Sequence, residues 1–227
     1  SSPGSGRVNP DRPLHVGHDG KRRFRLSAAL TVIREHAEEG AKLRLSFFEN
    51  NAERVDAVAL ALARCLAKGG KVLICGNGGS AADAQHMSGE FLGRFVMERP
   101  SLPAVALSVD SSTLTAVGND YGFDDVFARQ VQGLGRAGDA LVAFSTSGKS
   151  SNIIRALEAA RSVGMLTVGL TGRGGGLMPP LCDYLLDEPC PKTPLIQEIH
   201  EACLHLVCGL VDHYLFREPA ALRGASD

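Results

Sequence analysis

His86 and Glu90 stand four residues apart, the spacing that stacks two side chains on one face of a helix. An imidazole next to a carboxylate can move a proton or share a divalent cation, so the pair is a candidate for acid–base or metal chemistry. The same spacing also occurs in solvated surface pairs, and the neighbours are what separate the two readings. Ala84, Met87, Phe91 and Phe95 form an apolar stripe at helical period, and the His86/Glu90 face lies roughly opposite it. Gly89 and Gly93 fall on the side of the pair and leave room for another element to approach, which favours an enclosed site.

Two loops have the composition of ligand cradles. The run Cys75-Gly76-Asn77-Gly78-Gly79-Ser80 leads from an apolar strand straight into an Ala-rich helix, and its glycines let backbone approach a ligand closely. The run Ser145-Thr146-Ser147-Gly148-Lys149-Ser150 sets four hydroxyls around one glycine directly ahead of a helix starting near Ser151. Hydroxyl donors combined with the N–H groups of a helix start suit a phosphate dianion, whereas a simple helix cap needs only one Ser or Thr. Neither loop matches GxxxxGK[ST] or GxGxxG, which disfavours a nucleotide or dinucleotide site.

The last helical pattern gives a second set of polar candidates. Leu195, Ile199, Ala202, Cys203, Leu206, Leu210 and Val211 make one apolar face, and Gln197 and His205 fall outside it. Those two are eight residues apart, about 12 Å along a helix axis, so the spacing by itself predicts no shared ligand. His213 falls on the apolar stripe and reads as structural, while Glu198, His200 and Glu201 read as surface polar residues.

The elements that carry these residues alternate. Short apolar runs at 71–75, 103–109, 140–144, 166–170 and 184–186 are separated by helical patterns, which predicts right-handed βαβ units on a parallel five-stranded sheet in a three-layer α/β/α domain. In such sheets, ligands bind where strands end and helices begin. Two helices precede the first strand, one running toward Phe48 and one from Asn50 with Val55, Val58, Ala59, Leu62 and Leu66 in phase, stopped by Gly69-Gly70. The last helix, from Thr193 to about Phe216, has a candidate Thr N-cap and Pro194 at its first position. The expected organisation is a flexible tail at 1–25, one domain at 26–218 and a flexible end at 219–227.

Composition narrows the function classes. With 44% hydrophobic and 22% charged residues and a net charge of -1, the chain has no global positive field to collect nucleic acid or an acidic membrane surface, so a small-molecule ligand is expected. No apolar run approaches the roughly 20 residues of a membrane span. Six cysteines without a CxxC pair read as buried reduced thiols, and no secretory pattern opens the sequence; a cytoplasmic location is the expectation.

In order along the chain, the stretch Cys75 to His86, then Glu90, Arg99-Pro100, Gly118-Asn119-Asp120, Ser145 to Ser150, Thr171-Gly172 and Ile196-Gln197-Glu198-Ile199-His200 resemble the sugar isomerase (SIS) fold and, within it, the phosphoheptose isomerases. The resemblance covers about residues 50–216. It implies that Asn77, Gly78, Gly79, Asn119 and Asp120 bind the sugar chain and that Ser145, Thr146, Ser147 and Ser150 hold its phosphate. It also implies one zinc ion per chain among His86, Glu90, Gln197 and His205, with Glu90 and Gln197 touching substrate as well. A homotetramer with active sites between subunits is implied too, and the broad apolar faces of the N-terminal helices separately favour their burial between chains. The implied reaction is the ketose–aldose isomerisation of sedoheptulose 7-phosphate to D-glycero-D-manno-heptose 7-phosphate through an enediolate, for heptose biosynthesis. Such a reaction needs a base near C1 and C2, for which Glu90 is the candidate, and an acid or cation at the oxygens, for which His205 is the candidate. Two alternatives share part of the pattern: a non-catalytic adaptor of the replication initiator, which lacks the counterpart of Glu90, and an isomerase of another sugar phosphate, which lacks the full four-residue set.

Overall fold

The computed structural model describes residues 20–223, with side chains described from residue 27. Most of the expected tail, and the last four residues of the expected flexible end, lie outside this range; residues 20–25 are helical and Pro219–Arg223 form a short 3-10 turn. The first helix, α1, runs unbroken from Gly20 to Ala67, so the two helices expected on either side of residue 49 are one. The reason lies in the asparagines at the join. The side-chain amides of Asn50 and Asn51 donate to the carbonyls of Ser46 (2.7 Å) and Phe47 (2.9 Å), one turn back, and so satisfy their polar groups on the helix itself. The described residues up to Ala41 form a unit of their own, in which every residue from Ser27 to Glu39 is exposed, Leu30, Val32 and Ile33 included.

From Lys42 onward the chain forms the second unit. Its strands are β1 (Val72–Gly76), β2 (Ala104–Ala106), β3 (Ala140–Ser145), β4 (Leu166–Gly172) and β5 (Tyr184–Glu188), and they pair in the order β2-β1-β3-β4-β5, all parallel. The helices between them are α2 (Gly79–Leu92), α3 (Ser111–Asp120), α4 (Ala128–Leu134) and α5 (Ser151–Val163), followed by α6 (Thr193–Asp212). Strand alternation sorts the core. Val72 and Ile74 of β1 point toward α1, α2 and α6, whereas Leu73 and Cys75 point toward α4 and α5, giving the two apolar layers of an α/β/α sandwich.

Several boundaries move for identifiable reasons. β2 pairs over three residues of the expected seven; beyond Leu107, whose N–H reaches the Ile74 carbonyl (2.8 Å), the chain leaves the sheet and exposes Val109. Thr193 is the first residue of α6 rather than its cap: Lys192 takes the cap position, without a side-chain bond, and Pro194 sits in the first turn. After Asp212 the helix widens into a π-turn, His213–Arg217. All six cysteines are free, five of them buried and Cys182 half-buried. Burial pushes the Cys65 thiol up to about 11, with Asp139 adding to the rise and Lys71 opposing it.

Candidate active site

The two cradles lie side by side because their strands do. β1 and β3 are parallel neighbours paired Cys75 to Ala143 and Gly76 to Phe144, so the loops that follow them start about 4.8 Å apart. In the first loop Gly78 adopts φ 58°, a conformation L side chains rarely take, and hands the chain into α2. In the second, the Ser145 hydroxyl lies 3.5 Å from that of Ser150, Lys149 N–H donates to Ser147 Oγ (3.2 Å), and Gly148 turns at φ 62°. A third loop, absent from the sequence reading, braces the second: a Cβ on Gly148 would lie 2.1 Å from the Gly175 carbonyl oxygen. Three consecutive glycines, Gly174 to Gly176, all at positive φ, were the available signal.

Asn77 is fixed by a partner that sequence reasoning also missed. Its side-chain amide and that of Asn152, a buried residue of α5, exchange two hydrogen bonds of 2.9 Å each, tying the first loop to the helix that follows the second. Asn119 and Asp120, at the exposed end of α3, bond to each other (2.8 Å). No described hydrogen bond links them to either loop.

The acid–base candidates meet between α2 and α6. His86 Nε2 lies 3.2 Å from Glu90 Oε1 and 3.3 Å from Nε2 of His205. The Phe95 ring stacks on His205 at 5.4 Å, and Glu201 approaches the other ring nitrogen of His86, Nδ1, at 3.7 Å. Asp83, one turn before His86, completes the neighbourhood: one of its oxygens is buried without a partner, and burial pushes its carboxyl up to about 6, with Glu201 adding to the rise and His86 opposing it. Gln197 is held elsewhere. Its amide packs on Gly79, where a Cβ would lie 2.4 Å from Nε2, seven residues and about 10 Å along α2 from His86.

Three polar residues of the last helix depart from expectation. His200 is buried, not superficial: Nε2 contacts the Thr171 carbonyl (3.3 Å), the ring packs edge-on to Phe144, and burial lowers its pKa to about 4. Glu201 is exposed as expected but belongs to the His86 neighbourhood. His213, expected on the apolar stripe, is partly exposed and bonded to Glu218 (2.9 Å); it still stands in α-helical phase, its N–H donating to the Gly209 carbonyl, and shares an exposed ridge of the helix with Leu206.

His86, Glu201 and His205 offer ligand atoms within 4.8 Å of one another, so the site can hold a metal ion. Two carboxylates compete for the third place, and they face different nitrogens of the His86 ring. A cation on His86 Nε2 would have Glu90 and His205 next to it, whereas Glu201 faces Nδ1, the side from which a carboxylate orients the ring. Two ligands each about 2.0–2.1 Å from a tetrahedral zinc are separated by about 3.3 Å, and the His86–Glu90 and His86–His205 separations of 3.2 and 3.3 Å fit that edge.

Comparison with known proteins agrees with this arrangement of a parallel sheet and a hydroxyl loop. The model of the SIS domain family matches residues 35–172. The phosphoheptose isomerase of Nitratidesulfovibrio vulgaris is 60% identical over 195 residues, 86% of this chain and 94% of that protein. Among solved structures, the phosphoheptose isomerase of Neisseria gonorrhoeae superimposes with TM-score 0.77 at 44% identity, covering 81% of this chain and 98% of its own. That of Francisella tularensis gives TM-score 0.79 at 39% identity, covering 82% and 98%. The chain belongs to the SIS domain family and, within it, to the phosphoheptose isomerases.

Proposed function

We propose that the chain isomerises sedoheptulose 7-phosphate to D-glycero-D-manno-heptose 7-phosphate for heptose biosynthesis. The observation that carries this reading is the meeting of Glu90 and His205 at His86, on the helix that leaves the glycine loop, which is itself the neighbour of the hydroxyl loop. Membership of the phosphoheptose isomerases makes it a sugar-phosphate isomerase. Ser145, Thr146, Ser147 and Ser150, with the N–H groups that open α5, hold the phosphate. Asn77, Gly78, Gly79 and Gln197 line the sugar chain, and Asn119 and Asp120 approach it from α3. Glu90 takes the proton from the carbon next to the carbonyl and returns it to the neighbouring carbon, while His205 gives and takes the proton on the oxygens.

His86, Glu90 and His205 would hold one zinc ion per chain, and with the ion bound Glu90 and His205 would serve as ligands rather than as a free acid–base pair. Bound there, the ion supplies Lewis-acid polarisation of the carbonyl. Gln197, grouped with these three by the sequence resemblance, lies on Gly79 within its own chain and is assigned to the sugar as well, its place at the ion depending on a neighbouring subunit. The assembly is a homotetramer whose active sites lie at subunit interfaces, supported by the exposed apolar side chains Leu30, Val32, Ile33 and Leu45 along α1. No described helix is long and apolar enough to cross a membrane. Free cysteines suit a reducing compartment, and the enzyme is assigned to the cytoplasm, acting on a small molecule rather than on nucleic acid or membrane.

The test is turnover of a panel of C5 to C7 sugar phosphates by the purified chain. Sedoheptulose 7-phosphate should be used at least about tenfold more efficiently than pentose or hexosamine phosphates. Equal or better use of a shorter sugar would move the assignment to another isomerase of the same fold.

A further inference from the structure

The segment that leaves α2 folds back onto the helix it has just left and buries a positive charge there. The Arg99 side chain is fully enclosed, and its guanidinium is spent on five acceptors. Nη2 donates to the Glu90 carbonyl (2.7 Å); Nη1 donates to the carbonyls of Phe91 (2.7 Å), Gly93 (3.2 Å) and Pro100 (3.0 Å); Nε donates to Asp212 Oδ1 (2.9 Å). The carbonyls of Glu90, Phe91 and Gly93 end α2, where the helix has no partners of its own and presents the negative end of its dipole. Arg99 thus caps α2 from outside the helix. Through Asp212 it also fastens that cap to α6.

The two helices so joined carry the reacting groups. Nη2 holds the backbone of Glu90 itself, and Asp212 lies seven residues, about two turns, beyond His205 on the same helix. The intervening segment packs on the same place: Phe95 stacks on His205, and a Cβ on Gly209 would lie 3.4 Å from the Phe95 ring. Apolar ridges set the distance between helices but leave their axial register softer, whereas an enclosed ion pair admits one register. Stability is a poor reason for the pair: apolar residues of similar volume often replace buried ion pairs at little cost, and here the second oxygen of Asp212 is buried with no partner.

We propose that Arg99 and Asp212 are positioning residues, a buried clamp that fixes the register of α2 against α6 and so keeps Glu90 opposed to His205 across the reacting carbons. This rests on the reading of Glu90 and His205 as the acid–base pair. Removing Arg99 alone strands a buried carboxylate and tests folding rather than register, so the double variant Arg99→Met/Asp212→Leu carries the test. Its melting temperature, kcat and KM are measured with sedoheptulose 7-phosphate beside the wild type. The double variant should melt within a few degrees of the wild type and keep KM within about threefold, yet lose at least about tenfold in kcat, because a small misplacement of reacting groups is felt in the chemical step. A second pair covers a double variant that does not fold. Asp212→Ala leaves the bonds of Arg99 to α2 but cuts the tie to α6 and should lose kcat similarly, while Asp212→Asn keeps an acceptor for Nε and should restore kcat to within about threefold of the wild type. Wild-type kcat in a folded double variant or in Asp212→Ala overturns the clamp. Absence of turnover in the wild type would instead overturn the assigned reaction, and the clamp's role with it.

Discussion

Asn77 and Asn152 are 75 residues apart in sequence and exchange two amide hydrogen bonds, each 2.9 Å long. One comes from the loop assigned to the sugar and the other from the first turn of the helix assigned to the phosphate, so the pair sets the distance between the two halves of the ligand cradle. Asn152→Ala strands the Asn77 amide and should cost about 1–3 kcal/mol of stability. It should also raise KM for sedoheptulose 7-phosphate more than it lowers kcat, since the loops bind rather than react. Denaturant melts and steady-state kinetics on the same preparation check both; an unchanged KM would show that the pair is not what spaces the cradle.

Glu90→Gln keeps the size of the side chain and an oxygen to face His86 while removing the base. Turnover should drop at least about 100-fold with folding intact, the usual scale for a lost general base. A purified variant with near-wild-type turnover would take Glu90 out of the mechanism.

The sequence exposes the parts of this site that depend on short range. His86 and Glu90 are one helical turn apart, so their shared face could be read directly, and the two loops carry their chemistry in consecutive residues. The meeting of His86 with His205 spans 119 residues and depends on α2 and α6 lying side by side, which no local pattern encodes. The same parallel packing explains Gln197: Gly79 to His86 is seven residues on one helix and Gln197 to His205 eight on the other, so each residue of α6 finds a different partner on α2. His200 read as superficial because one apolar stripe was assumed for α6. That helix packs on α2 and also at the end of β4, where the His200 ring meets the Thr171 carbonyl, and the buried arc is wider than one stripe. His213 reads as apolar-face for the opposite reason: the ridge it shares with Leu206 lies outside the buried arc, and the expected stripe runs through that ridge.

Glu188, at the end of β5, is buried with neither carboxylate oxygen bonded, and burial pushes its pKa from 4.5 up to about 7, with Asp187 adding to the rise. A raised acid is held neutral in the folded chain. Its stabilising share is complete below the unfolded value of 4.5 and is lost as pH rises through about 7. Glu188→Gln should therefore be more stable than the wild type at pH 8, by roughly 1–3 kcal/mol, and close to it at pH 4.5. Urea unfolding of both proteins at the two pH values reads the difference, and equal stability at pH 8 would show that the buried carboxylate finds a partner.

His200 has the opposite dependence. Burial lowers its pKa from 6.5 to about 4, so the stability that comes from keeping it neutral is present above pH 6.5 and is lost as pH falls toward 4. His200→Gln, which does not titrate, should flatten the loss between those values, whatever its effect at pH 7.5. A wild-type and variant pair with the same slope over that interval would remove His200 as its source.

The last expectation separates the carboxylates around His86. Glu90 and His205 face Nε2 of that ring at 3.2 and 3.3 Å, and Glu201 faces Nδ1 at 3.7 Å. One imidazole nitrogen binds a cation while the other, turned to a carboxylate, fixes the tautomer and the ring plane. Groups on the Nε2 side should then be required for zinc, and Glu201 should only strengthen its binding. Elemental analysis after dialysis should find about one zinc per chain in the wild type and none in His86→Ala or His205→Ala. In competition with a chelator, Glu201→Gln should retain zinc with affinity reduced about 10–100-fold, the usual scale for an outer partner of a ligating histidine. Zinc lost outright in Glu201→Gln and held normally by Glu90→Gln would reverse the assignment and place the cation on the Nδ1 side. Zinc absent from the wild type, with added zinc neither bound nor altering activity, would leave His86, Glu90 and His205 as a hydrogen-bonded acid–base group alone.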